Sequence, residues 1–156
     1  MTVTGTMGTR SAVIFDVDND GDLDIITNEF NAAPRVMLSD LSDKRPIHWL
    51  KIHLIGKQSN RDGIGALVKV TAGGMTMTQL VDGNSGYLSH SDLPLYFGLG
   101  DAAAADRLEI RWPSGVVQTI AGPIAGNRQL EITEAGTRHA RQAPALAGRP
   151  AKAAGR

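Results

Sequence analysis

The chain has 156 residues, no cysteine and a formal net charge of +0, which fits one domain, or one domain plus an appendage, and excludes a disulfide framework, a cysteine zinc site and thiol catalysis. All 16 acidic residues lie at or before Glu134, whereas Arg138, Arg141, Arg149, Lys152 and Arg156 follow it, so the body holds 11 basic against 16 acidic residues and carries −5. An acidic body argues against nucleic-acid binding, and no apolar run approaches the roughly 20 residues of a membrane span.

Strand signals recur along the chain, separated by Gly, Asp, Asn and Pro. SAVIF (11–15) and DIIT (24–27) flank an acidic stretch, and RVML (35–38) follows Pro34. In WLKIHLI (49–55), Leu50, Ile52 and Leu54 share one face, with Lys51 and His53 on the other. That period of two predicts a half-buried strand. ALVKVTA (66–72) and MTMTQLV (75–81) flank Gly73-Gly74 and predict a hairpin. PLYFGLG (94–100) is a mixed apolar run. RLEIRW (107–112) alternates, turning Leu108, Ile110 and Trp112 inward, and VVQTI (116–120) and QLEIT (129–133) complete the series. DAAAAD (101–106) is long enough for a helical turn and no more.

No segment sustains a 3.6-residue period, so the expected class is all-β, a sandwich or barrel. Aromatic residues are only 4% of the chain, so Val, Ile and Leu must fill the core. Polar SDLSDKRP, ending in Pro46, suggests a boundary between a unit at 1–40 and a β domain at 47–134. The Ala/Pro/Gly/Arg-rich stretch 135–156 is expected to be a disordered basic tail.

The strongest chemical signal is FDVDNDGDLDII (15–26), where Asp16, Asp18, Asp20, Asp22 and Asp24 stand at every second position. Carboxylates this dense repel one another without a counter-ion. Gly21 supplies a sharp turn, and hard oxygen donors in a tight loop suit Ca²⁺. Mg²⁺ or Mn²⁺ fits less well, because a ligand-rich loop leaves little room for water. Asp16, Asp18, Asp20 and Asp24 are assigned side-chain ligation; Asp22 is expected to offer its backbone carbonyl, with its side chain outward. The first six positions agree with an EF-hand loop. Position twelve is Thr27 rather than Glu, and the flanks are β-branched. The expectation is therefore a strand–loop–strand Ca²⁺ site, weighed against a solvated acidic turn.

Residues 11–28, SAVIFDVDNDGDLDIITN, resemble one FG-GAP/VCBS repeat, the Ca²⁺-binding blade unit of integrin-type β-propellers. The stretches HWLKIHLIGKQSNRDGIGALVKV (48–70), GNSGYLSHSDLPLYFGLG (83–100) and RLEIRWPSGVVQTI (107–120) resemble the ASPIC/UnbV domain, which follows such repeats in cartilage-acidic-protein-like proteins and bacterial relatives. The resemblance implies Ca²⁺ binding, a role in adhesion, and a secreted or surface location. MTVTGTMGTR lacks the apolar core of a signal peptide, so the chain read literally stays in the cytoplasm. A propeller needs several blades, typically 4–8. A single repeat must pack on the sandwich, self-associate or stay partly open, which suggests a fragment of a larger protein.

Two polar segments are candidate ligand surfaces. Asn60, Arg61 and Asp62 lie in SNRDGIGA (59–66), which also reads simply as a connecting turn with Gly63 and Gly65. Ser85, Tyr87, His90 and Asp92 lie in GNSGYLSHSD (83–92), where they could bond a sugar or a protein surface. A Ser–His–Asp triad there is rejected, because adjacent Ser89 and His90 on an extended chain point to opposite faces. Trp49 or Trp112 could stack a sugar, although Trp112 with Pro113 reads first as a closure of the core. The histidines lack metal-ligand spacing, and no acid pair outside the loop stands out for glycoside hydrolysis. The expected function is thus a non-catalytic Ca²⁺-binding β module for adhesion. The alternative is an enzyme or accessory factor in a bacterial secondary-metabolite pathway.

Overall fold

In the computed structural model, residues 8–83, 94–135 and 141–142 are described. Three consecutive antiparallel strands, β1 (Thr9–Phe15), β2 (Asp24–Glu29) and β3 (Arg35–Met37), form the first sheet. Phe15 pairs with Asp24, so the acidic stretch is the β1–β2 loop. One helical turn, α1 (Leu41–Lys44), follows where composition suggests only a polar boundary.

Eight further strands build two four-stranded sheets. The first holds β4 (His48–Ile55), β7 (Leu95–Gly100), β10 (Arg128–Thr133) and β11 (Arg141–Gln142), in the order β11-β10-β4-β7. The second holds β5 (Leu67–Ala72), β6 (Met75–Leu80), β8 (Ala104–Arg111) and β9 (Val117–Ala125), in the order β6-β5-β8-β9. Neither closes on itself, so the architecture is a sandwich rather than a barrel. β10 runs parallel to β4, with Leu130 opposite Ile52; among the described residues the other pairings in these two sheets are antiparallel.

The alternation read from the sequence fixes which faces meet. Leu50, Ile52 and Leu54 of β4 and Phe97 and Leu99 of β7 are buried against Val68 and Val70 of β5 and Leu108 and Ile110 of β8. Trp112 joins this core, as expected. Each such aliphatic side chain contributes roughly 1.5–3 kcal/mol when fully buried. The β5–β6 turn puts Gly73 and Gly74 at φ +55° and +79°. A two-residue hairpin turn with both central residues at positive φ matches the twist of its strands, and glycine adopts it without strain.

Three local expectations change. Residues 104–106, expected within a helical turn, begin β8: Ala104 and Ala105 pair with Ala125 and Ile124 of β9, and Ala105 is buried in the core. Cross-strand pairing and burial there outweigh alanine's weak strand preference. β9 extends past 120 through Pro123, tolerated because β9 is an edge strand. β11 pairs with β10 inside the stretch expected to be a disordered tail; residues 136–140 and 143–156 lie outside the described residues.

β1–β3 contribute nothing to the buried core cluster. Ile14, Phe30, Val36 and Leu38 of this region are each more than half exposed. What joins the small sheet to the sandwich is its acidic loop.

Candidate metal centre

The loop lies on the outer face of the β4–β7 pair. Trp49 and Lys51 of β4 and Tyr96 of β7 project there, opposite in sense to core residues Leu50, Ile52 and Phe97. The rings of Trp49 and Tyr96 stack with centroids 5.8 Å apart, and the Lys51 ammonium sits 5.3 Å from the Trp49 ring centre. Gly21 docks onto this platform at φ +94°, so close that a Cβ would overlap the Trp49 indole nitrogen. The Tyr96 hydroxyl donates to the Gly21 carbonyl. Burial first, then the negative charge of Asp16, Asp22 and Asp20, pushes the Tyr96 hydroxyl pKa well above its usual value, so it stays a donor. Gly21 is thus required both by the turn and by the indole beneath it.

Asp16, Asp18 and Asp24 form a cluster in which one carboxylate oxygen from each lies within 4.8 Å of the others. Asp24 is held by backbone donors: Val17 N–H to Oδ2 and Ser39 N–H to Oδ1, both at 2.8 Å. Asp16 Oδ2 accepts from the Gly21 N–H at 3.2 Å and from Lys51 Nζ at 2.9 Å. Lys51 therefore does not simply face solvent. It offsets one of the three formal negative charges and ties the loop to β4. Asp16 Oδ1 is buried without a hydrogen-bond partner.

A Ca²⁺ ion held at roughly 2.3–2.6 Å from each ligand oxygen spaces those oxygens by at most about 5 Å. The 4.8 Å grouping meets that limit. The donor set is entirely hard oxygen, and the orphaned Asp16 oxygen supplies a buried acceptor that the chain leaves unsatisfied. Asp16, Asp18 and Asp24 thus fit a divalent cation.

Asp20 and Asp22 stand outside this cluster. Asp20 accepts from the Asp22 N–H at 3.0 Å and from the Ser42 hydroxyl at 2.7 Å. The expected outward side chain of Asp22 is corrected: the residue is 3% exposed, and its Oδ2 accepts the Ser42 N–H at 2.8 Å. Packing of α1 against the loop turns it inward. These two carboxylates anchor α1, a contact 20 or more residues away that no local pattern announces.

Among the proposed ligand-surface residues, Asn60 closes its own loop. Its side chain accepts from the Ile64 N–H at 2.8 Å and donates to the Ile64 carbonyl at 2.7 Å. Arg61 and Asp62 are exposed beside it, away from the acidic cluster's hydrogen-bond network. Ser85, Tyr87, Ser89, His90 and Asp92 lie outside the described residues. Trp49 is covered by the loop, and Trp112 is in the core, donating to Gln118 at 3.1 Å.

Sequence reasoning missed a buried carboxylate far from the loop. Glu134, just past β10, accepts the N–H groups of Lys57, Gln58 and Ser59 on Oε2 at 2.8, 2.8 and 2.7 Å. Its Oε1 accepts the hydroxyls of Ser59 at 2.9 Å and of Ser114. Burial pushes its pKa up, but the hydrogen bonds from Ser114, Ser59 and Lys57 outweigh that and hold it at about 2. That direction is opposite to what a general acid requires. Three of the donors are backbone groups, which carry no signal in the sequence.

Fold and site together define an all-β module of two layers, with an acidic loop seated on the outer face of one. The chain belongs to the family described as ASPIC and UnbV, whose pattern matches residues 56–139. That span begins just after β4 and covers most of the sandwich, leaving the acidic loop outside it. No curated protein matches the chain. Among the described residues, no helix is long and apolar enough to cross a membrane.

Proposed function

We propose that this is a non-catalytic, Ca²⁺-binding β module used for adhesion or surface binding, working as part of a larger secreted or cell-surface protein. The carrying observation is the grouping of Asp16, Asp18 and Asp24 around one point with a buried, unpartnered Asp16 oxygen. The strand–loop–strand setting of that cluster supports reading 1–40 as an FG-GAP/VCBS-like repeat. The half-exposed apolar side chains on the small sheet support a role beside further repeats, which would cover them.

On this reading the ion stiffens the loop and, through Asp16 and Gly21, its seat on β4 and β7. Extracellular modules bind Ca²⁺ at roughly 10⁻⁴–10⁻³ M. With a Kd of about 0.1 mM and about 2 mM Ca²⁺, linkage adds about 1.8 kcal/mol. The test is calorimetric Ca²⁺ titration of the whole chain with a thermal melt at each end point, repeated on Asp16→Asn with Asp18→Ala. Saturable binding that raises Tm by several degrees and disappears in the variant is the expected result. A wild-type chain that shows no heat and no shift would sink the proposal.

A further inference from the structure

Beside the acidic loop, the outer face of β7 forms the floor of a cleft of about 320 Å³. We propose that this cleft is a binding site for a small neutral, polyhydroxylated ring, of the size of a mono- or disaccharide. The cleft lies beside the cation cluster: Asp22 and Ser39 line it, and Asp16, Asp18 and Asp24 do not.

The floor is unusual for a strand. Tyr96, Gly98 and Gly100 follow one another on the outward face, and both glycines line the cleft. A Cβ at Gly98 would meet nothing within 4 Å, so the backbone there is an open shelf. Leu23 and Leu41 are partly exposed at the edge of the same space, and Pro46 and Ile47 line it too. These give apolar surface on which the C–H face of a ring can lie. Its volume falls at the lower end of the range for ligand pockets, about 300–1,000 Å³, which suits one or two rings rather than a polymer.

The polar groups decide the ligand's charge. Arg45, His48 and Asp101 also line the cleft, and among the described residues Arg45 and Asp101 have no salt bridge. The lining carries both signs, Arg45 against Asp101 and the loop's Asp22, so an ion of either sign meets a like charge beside its partner. A ligand whose hydroxyls both donate and accept satisfies donors and acceptors alike without an uncompensated charge. The 39–42 wall is fixed by the acidic loop, through Ser39 N–H on Asp24 and Ser42 on Asp20 and on Asp22, which itself lines the cleft. That preformed wall reduces the ordering cost of binding.

Saturation-transfer NMR tests this on the full chain, with glucose, N-acetylglucosamine and cellobiose as the probes, in calcium-loaded and chelated samples. Gly98→Leu fills the shelf, and because Gly98 lacks a positive φ and has open space above it, the variant should melt like wild type. Arg45→Ala, at an exposed position without an ion pair, is the second variant should the first not fold. The expected result is transfer to at least one probe in both samples, reduced at least about tenfold by Gly98→Leu and several-fold by Arg45→Ala. Absence of transfer to all three probes overturns the proposal, as does transfer that survives the variants. Loss of calcium binding with transfer intact would sink only the cation reading.

Discussion

At Glu134 one buried carboxylate meets five hydrogen bonds from its own chain, whereas in the 16–24 loop Asp16 keeps a buried oxygen with none. Both regions place carboxylates in a dry setting. The Glu134 site supplies its complement from backbone amides and serine hydroxyls and is complete as folded. The loop gathers three carboxylates and answers with a few backbone donors and the Lys51 ammonium. The difference separates a carboxylate that holds a structure together from carboxylates arranged for something else to arrive.

The sharpest way to break that contrast is at the self-sufficient site. Glu134→Ala removes the buried acceptor of five donors, and a hydrogen bond to a charged group is worth about 1.5–3 kcal/mol. We expect a loss of about 3–4 kcal/mol by urea unfolding, and added Ca²⁺ should restore none of it. Rescue of this variant by Ca²⁺ would erase the distinction. Lys51→Met should cost less, about 2 kcal/mol, because it removes one charge-assisted hydrogen bond from Asp16 while Lys51 itself is partly exposed. Here Ca²⁺ should recover most of the loss and bind more tightly than to wild type, read by paired melts and calorimetry. If Ca²⁺ leaves the Lys51→Met melt unmoved, Lys51 is the loop's only intended counter-charge.

The smallest effect concerns pH. Glu134 has a folded pKa of about 2 against an ordinary 4.5. A depressed carboxylate contributes stability that is fully present above the unfolded value and is lost as pH falls through the folded one. Acid unfolding between pH 4.5 and 2 should therefore be less steep in Glu134→Gln than in wild type. Parallel curves would show that the five donors do not favour the ionised form.

The sandwich was legible because its signal is local. Alternation alone placed Leu50, Ile52 and Leu54 against the core, as it did Leu108, Ile110 and Trp112, and Gly73-Gly74 marked its hairpin. The acidic loop was legible as a group of carboxylates. The division of labour within it was not, because Ser42 and Lys51 are distant in sequence and enter only through tertiary packing. Period-two reading assigns Lys51 a face without saying what covers that face. Ala104–Asp106 misled for a similar reason: alanine-rich composition suggests helix, and pairing with β9 decides otherwise. The Glu134 nest had no sequence signature, being built on amides that every residue carries.

The parallel pairing of β10 with β4 has a consequence for the order of assembly. β1, β2 and β3 join neighbours in sequence, so their hairpins can close as soon as they are made. β4 pairs instead with β7 and, across 78 positions, with β10. Contacts of such separation form late, because a long loop must close before they yield anything. The platform of Trp49 and Lys51 is thus finished after the acidic loop that rests on it. During synthesis that loop should wait as an exposed cluster of negative charge until β7, which carries Tyr96, has arrived.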